Sequence, residues 1–205
     1  MDTHSLGAEP PPPTPPPRRH WRVVGVLLAA WLALVAFLTF GPRRSGEGPD
    51  LRSPARLRVT DYAWSLRDLD GKPVDFAEFR GKVVFANIWA SWCPPCRAEM
   101  PSIGRLAQAV GDRDAPVEFV LIGVNDSPEK LRRFLDSVAK DFRPGVRFLV
   151  ADGVPPAFES DGIPATFVIG PDGRFLIEQI GSAEWDRPEV VEYLTRLAAG
   201  PAEKS

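Results

Sequence analysis

Three features of this 205-residue sequence predict an α/β sandwich. Short apolar strands alternate with amphipathic segments between residues 59 and 199. The chain then closes with a strand, a turn, a second strand and a helix. Between the first buried strand and the helix that follows it stands Trp92-Cys93-Pro94-Pro95-Cys96, which holds both cysteines of the chain. Strands that alternate with helices form a central mixed sheet covered by helical layers.

Each element has a local reason. Asp61 to Asp75 reads as a hairpin turning at Asp70-Gly71. Val83 to Trp89 is an apolar run bounded by Gly81 and the two-cysteine motif, the pattern of a buried parallel strand. From Cys96 to about Val110, the residues Met100, Ile103, Leu106 and Ala107 share one face of a helix. Pro95 suits its first turn, where a missing N–H costs nothing. Pro101 lies inside the helix and should kink it. Glu118 to Asn125 is a second buried strand. Ser127-Pro128-Glu129 caps and opens a helix that runs to about Asp141. Arg147 to Val150 is a short strand. The segment Gly162 to Ile169 holds another, with Pro164 immediately before it, a residue poorly placed for a central strand unless the Ile163–Pro164 bond is cis. Pro171-Asp172-Gly173 turns the chain into the strand Phe175 to Ile180. Asp186-Arg187-Pro188-Glu189 reads as the cap of a last helix ending near Gly200.

The chemistry is concentrated at Cys93 and Cys96. A disulfide between them closes almost no loop, so it stabilises little as a staple. Zinc would need further ligands, yet no other cysteine exists and both histidines, His4 and His20, lie in the N-terminal tail. A redox-active dithiol is the better reading. Cys93 stands at a helix N-terminus, where unpaired amides and the helix dipole favour a thiolate. Cys96 lies one turn in and suits the resolving role. Glu99 follows one further turn along, on the side facing the pair. A carboxyl group there would exchange a proton with a thiol, and burial would raise its pKa. The alternative is a solvated glutamate in the first helical turn. Arg97 reads as a solvated helix residue.

At this point the sequence resembles a known family. Asn87-Ile88-Trp89-Ala90-Ser91, the Trp92–Cys96 motif, Glu99-Met100-Pro101 and Gly162-Ile163-Pro164-Ala165-Thr166 are similar to the TlpA/ResA-type membrane-anchored thioredoxins. The likeness runs from about Val59 to Ala199. Leu69-Asp70-Gly71-Lys72 and Phe79-Arg80-Gly81-Lys82 resemble two further family features. The stretch Asp126 to Gly162 resembles the family's central insertion. The resemblance implies a thioredoxin-like fold and thiol–disulfide oxidoreductase activity without a cofactor or metal. It implies catalytic roles for Cys93, Cys96 and Glu99, with Trp92, Pro94, Pro95, Ile163 and Pro164 meeting the substrate. Asn87 stands where thioredoxin itself carries a buried aspartate. Glu99 matches a buried glutamate of the ResA-like branch.

The N-terminus predicts location. Residues 1–22 form a tail with proline at nearly every position from Pro10 to Pro17, an extended arm expected in the cytoplasm. Val23 to Phe40 is free of charge and long enough to span a thinned bilayer. No small-residue cleavage signature follows it, which favours an uncleaved anchor over a signal peptide. Residues 41–58 read as a flexible tether before a domain at 59–199. The expected site is the periplasmic face of the inner membrane. After Arg44 there are 20 basic and 25 acidic residues, net −5. No basic stripe marks a nucleic-acid surface. The expected partners are client proteins with disulfides or thiols and a membrane thiol–disulfide electron donor. A reductase is the first reading, since a chain without other cysteines suits that task in an oxidising compartment. An oxidase or isomerase of the same fold is the second. A copper chaperone using Cys93, Cys96 and Met100 is the third, disfavoured because the domain has no histidine.

Overall fold

The computed structural model describes residues 24, 26–32, 48–51, 58–138, 142 and 144–200. The chain divides into two units, Met1–Arg44 and Ser45–Ser205. In the first, residues 26–32 are helical, with Val26, Leu27, Leu28, Trp31 and Leu32 exposed. Among the described residues no helix is long and apolar enough to cross a membrane. The span expected at Val23 to Phe40 falls mostly outside them, as do the tail, most of the tether and the end of the helix expected at Asp141.

The second unit is built on one seven-stranded sheet. Its strands are β1 (Ser65–Asp68), β2 (Pro73–Asp75), β3 (Val83–Trp89), β4 (Val117–Val124), β5 (Arg147–Ala151), β6 (Ala165–Ile169) and β7 (Phe175–Ile180). Its helices are α1 (Pro94–Gly111), α2 (Pro128–Val138) and α3 (Pro188–Ala198). The strand order is β2-β1-β5-β4-β3-β6-β7. The strands β3, β4 and β5 are mutually parallel, while β6 runs antiparallel to β3. The run Val83–Trp89 is therefore buried at the centre but parallel on one side only.

Handedness explains the layers. The connections β3–α1–β4 and β4–α2–β5 step the same way across the sheet. Right-handed crossovers then place both helices on one face. The buried residues of α1, α2 and α3 accordingly share one cluster with Phe85, Trp89, Phe119, Leu121 and Val168. Close approach of α2 depends on Gly123 of β4, because a Cβ there would collide with the Leu131 side chain.

The opposite face is covered differently. Val84, Ala86, Ile88, Val120 and Ile122 meet Tyr62, Trp64, Phe76, Phe79 and Phe158. These aromatics come from the extended lead-in and two 3-10 turns, Phe76–Phe79 and Pro156–Phe158, rather than from a helix. Phe158 packs within 4.9–5.4 Å, ring centre to ring centre, of Trp64, Phe76, Phe167 and Phe175. Each fully buried side chain of this size contributes roughly 1.5–3 kcal/mol.

One local expectation is corrected. The cap expected from Asp186 and Glu189 does not form; Arg187 is the N-cap of α3 and makes no side-chain cap bond. Asp186 instead accepts from Arg105 Nε of α1 at 2.6 Å, and Glu189 accepts from Arg187. A long-range ion pair thus takes the carboxylate that local sequence had assigned to the helix end.

Candidate active site

Strand β3 delivers the chain to the edge of the sheet, and α1 starts at once. Cys93 and Cys96 are joined in a disulfide with Cα atoms 5.3 Å apart. Cys93 is the N-cap of α1, and its Sγ accepts from the Cys96 N–H at 3.3 Å. Sulfur here takes the place usually filled by a serine or aspartate oxygen. An acceptor held by a helix N-terminal amide is stabilised further when it carries negative charge. Pro94 and Pro95 occupy the first two helical positions and are exposed. Cys93 is 3 % exposed and Cys96 0 %, so what access there is belongs to Cys93.

The second part of the site comes from the start of β6. The Ile163–Pro164 bond is cis. Ile163 O lies 3.8 Å from Cys93 Sγ. Pro164 is buried, and Ile163 is half-buried. An extended segment of another chain laid across this point would find backbone groups beside the sulfur. Trp92 is exposed, and its indole Nε1 donates to Asn125 O at 3.1 Å. The loop before the motif is tied down as well, since Ser91 N donates to Asp126 Oδ2 at 2.8 Å.

Behind the disulfide lies a buried polar network. Glu99 is 3 % exposed. Its Oε1 accepts from Asn87 Nδ2 at 2.8 Å. Its Oε2 accepts from Trp185 Nε1 at 3.1 Å and from Ala183 N at 3.3 Å. Asn87 Nδ2 also donates to Thr166 Oγ1 at 2.9 Å, tying β3 to β6. Ser102 Oγ donates to Glu99 O at 2.8 Å and accepts from Trp185 N at 3.3 Å. Burial pushes the Glu99 carboxyl up to about 7, although bonds from Trp185, Asn87 and Ala183 pull it down. Desolvation outweighs three donors, and among the described residues no cation pairs with the carboxyl to neutralise its charge. Glu99 is thus poised to take or release a proton near neutral pH, one helical turn from Cys96.

The structure brings Cys93, Cys96, Ile163 and Pro164 together, with Glu99 behind them on α1. Trp92, Pro94 and Pro95 form the exposed rim. Met100 is fully buried in the helical cluster. Among the described residues no group of three or more His, Cys, Asp and Glu side chains is placed to hold a metal. Sequence reasoning did not find Trp185 or Ala183, nor the bond from Asn87 to Thr166, contacts that only the folded chain makes. Asn87 carried a signal: it is the one polar residue in the run Val83–Trp89, and such a residue needs a buried partner.

Comparison with known proteins agrees with this geometry. The family model described as Redoxin matches residues 48–194. The thiol-disulfide oxidoreductase ResA of Halalkalibacterium halodurans is 30 % identical over 129 residues, covering 61 % of this chain and 69 % of that protein. The structure of MTB DsbF in mixed oxidised and reduced forms has a TM-score of 0.52 at 25 % identity, covering 71 % of this chain and 96 % of that one. A secreted Mycobacterium tuberculosis disulfide oxidoreductase homologous to E. coli DsbE has a TM-score of 0.50 at 25 % identity, covering 68 % and 98 %. With the family model spanning most of the chain and the disulfide seated at the tip of α1, this protein belongs to the Redoxin family, as a thioredoxin-like thiol–disulfide oxidoreductase of the ResA type.

Proposed function

We propose that this chain is a membrane-anchored, extracytoplasmic reductase of disulfides in client proteins. The observation that carries the chemistry is the dithiol at the N-cap of α1 with the buried Glu99 carboxyl one turn behind it. In the reduced protein, Cys93 Sγ as thiolate attacks one sulfur of a client disulfide. A Cys93–client S–S bond forms, and the second client sulfur leaves as a thiolate. The Cys96 thiol then gives its proton to Glu99, and Cys96 Sγ attacks Cys93 Sγ. The client's remaining sulfur leaves, and two electrons have passed from protein to client. The product is the Cys93–Cys96 disulfide, the state seen here. A membrane thiol–disulfide donor would then restore the dithiol.

Reduction is favoured because the chain holds no cysteine besides the pair, so nothing else in it becomes cross-linked. Anchoring is supported by the charge-free run Val23 to Phe40 and by the exposed apolar side chains of helical residues 26–32. The family likeness suggests apocytochrome c or copper-centre assembly proteins as clients.

The redox potential of the full-length protein, equilibrated with glutathione, tests direction. A value near −270 mV supports reduction, and one near about −120 mV would assign an oxidase. Labelling a cysteine placed in the tail from each side of the membrane tests the anchor. A tail reached only from outside would overturn the orientation.

A further inference from the structure

Beside the dithiol motif lies a surface hollow of about 380 Å³, lined by Ser91, Arg97, Lys130, Arg133, Phe134 and Ser137. Its position is informative. Ser91 and Arg97 bracket the Trp92–Cys96 motif, and the other four residues come from α2. The Arg97 guanidinium lies 5.2 Å from the centre of the Phe134 ring, which holds it over the hollow's aromatic wall. The cations Arg97, Lys130 and Arg133 form no salt bridge with a carboxylate among the described residues. The neighbouring Asp126 spends both oxygens on the backbone N–H groups of Ser91 and Ser127. Glu129 lies close enough to Arg133 to feel its charge without a direct pair.

This cluster stands out from its surroundings. After Arg44 the chain carries net charge −5, so an acidic partner would be repelled by most of the surface. Three cations lining one hollow reverse that locally, while the Ser137 hydroxyl already donates to Phe134 O. Two arginines offer the forked donors that suit a carboxylate.

We propose that the hollow receives acidic side chains of the client segment that flanks the attacked disulfide, and so selects clients by charge. This rests on the thiol–disulfide exchange described above. A residue a few positions from the client cysteine reaches the hollow while that cysteine is bonded to Cys93, at roughly 3.3–3.6 Å per extended residue. The effect is on encounter and orientation, because rim charges act mainly on association rate.

Two peptides test this, each closed by one disulfide and identical except that Asp-Asp-Glu flanks a cysteine in one and Asn-Asn-Gln in the other. The fully reduced full-length protein is mixed with each, and the first turnover is followed. The wild-type protein should reduce the acidic peptide about tenfold faster at low salt, with the advantage shrinking as salt rises. In the Lys130→Gln/Arg133→Gln protein the ratio of the two rates should fall toward one. Equal rates in the wild type, or a ratio retained by the variant, would overturn the proposal. Where the double variant does not fold, Lys130→Gln alone, at an exposed position, reads the same ratio, which should fall and which, if retained, overturns the proposal. Should neither peptide be reduced, the reductase reading fails. The ratio is then measured in reverse, with the disulfide form of the protein oxidising the two dithiol peptides, and it decides the hollow by the same outcomes.

Discussion

The two faces of the sheet are equally well buried but do different work. One face is a closed set of aromatic rings around Phe158, with Trp64, Phe76, Phe167 and Phe175 in ring contact. The other carries the helices, the disulfide and the Glu99 network. Strand β3 serves both by alternation: Val84, Ala86 and Ile88 point to the aromatic side, and Phe85, Asn87 and Trp89 to the helical side. The aromatic face is held mainly by ring packing, with Trp64 Nε1 donating to Gly153 O and arginines resting on Tyr62, Phe79 and Phe175, and it buries no carboxyl group. The helical face gives up part of that stability to keep a titratable carboxyl dry. Orphaned polar atoms do not separate the faces: among the described residues Asn87 Oδ1 and Trp89 Nε1 lack a hydrogen-bond partner on the helical side, and Tyr62 OH lacks one on the aromatic side.

Four experiments would break or sharpen this contrast. The largest effect belongs to the sulfurs. Cys96→Ser should abolish turnover while leaving the fold, and should accumulate mixed disulfides through Cys93. Peptide mapping of the trapped adduct checks it, and trapping through residue 96 in a Cys93→Ser protein would reverse the assignment.

Phe158→Ala should cost about 3–5 kcal/mol, since the cavity is walled by rings that cannot collapse into it. Urea unfolding measures the loss. The titration of Glu99 should stay in place, because the lesion lies on the opposite face.

Glu99→Gln should change the pH dependence. The unfolded glutamate releases its proton near its ordinary value of 4.5, the folded one near 7. Between those values the unfolded state binds fewer protons, so stability falls as pH rises. The fall totals about 3 kcal/mol and is complete above the folded value. The Gln protein should lack this decline. Unfolding at pH 5 and pH 8, with the disulfide intact in both proteins, reads the difference. The alkylation rate of reduced Cys93 against pH should also lose a step near neutrality, and superimposable curves would leave Glu99 a packing role only.

The smallest structural effect is expected at Trp92, which is 57 % exposed. Trp92→Ala should shift stability by no more than about 0.5 kcal/mol. It should nonetheless slow reduction of a peptide disulfide, because the rim loses apolar contact area. An unchanged rate would remove Trp92 from the client surface.

Much of this was open to reading before any coordinates. The strands from Val83, Glu118 and Phe175, the helix after Cys96 and the turn at Asp172-Gly173 each rest on local pattern, and the folded chain matches them closely. The cis bond at Ile163–Pro164 was legible from a proline opening a buried strand taken together with the upstream Cys93–Cys96 pair. Asp186 misled, because a local capping pattern competes poorly with a well-placed arginine from another helix.

Sequence by itself determined the core of the chemistry: two cysteines at a helix start and an acid one turn on. These depend on spacing along one chain segment, which periodicity encodes. Tertiary structure decided the acid's environment. Asn87, Ala183 and Trp185 lie 12, 84 and 86 residues from Glu99 in sequence, and only sheet pairing and the packing of α1 bring them within hydrogen-bond reach. Tertiary structure also decided that both crossover helices share one face, because that follows from strand order and handedness rather than from any local pattern.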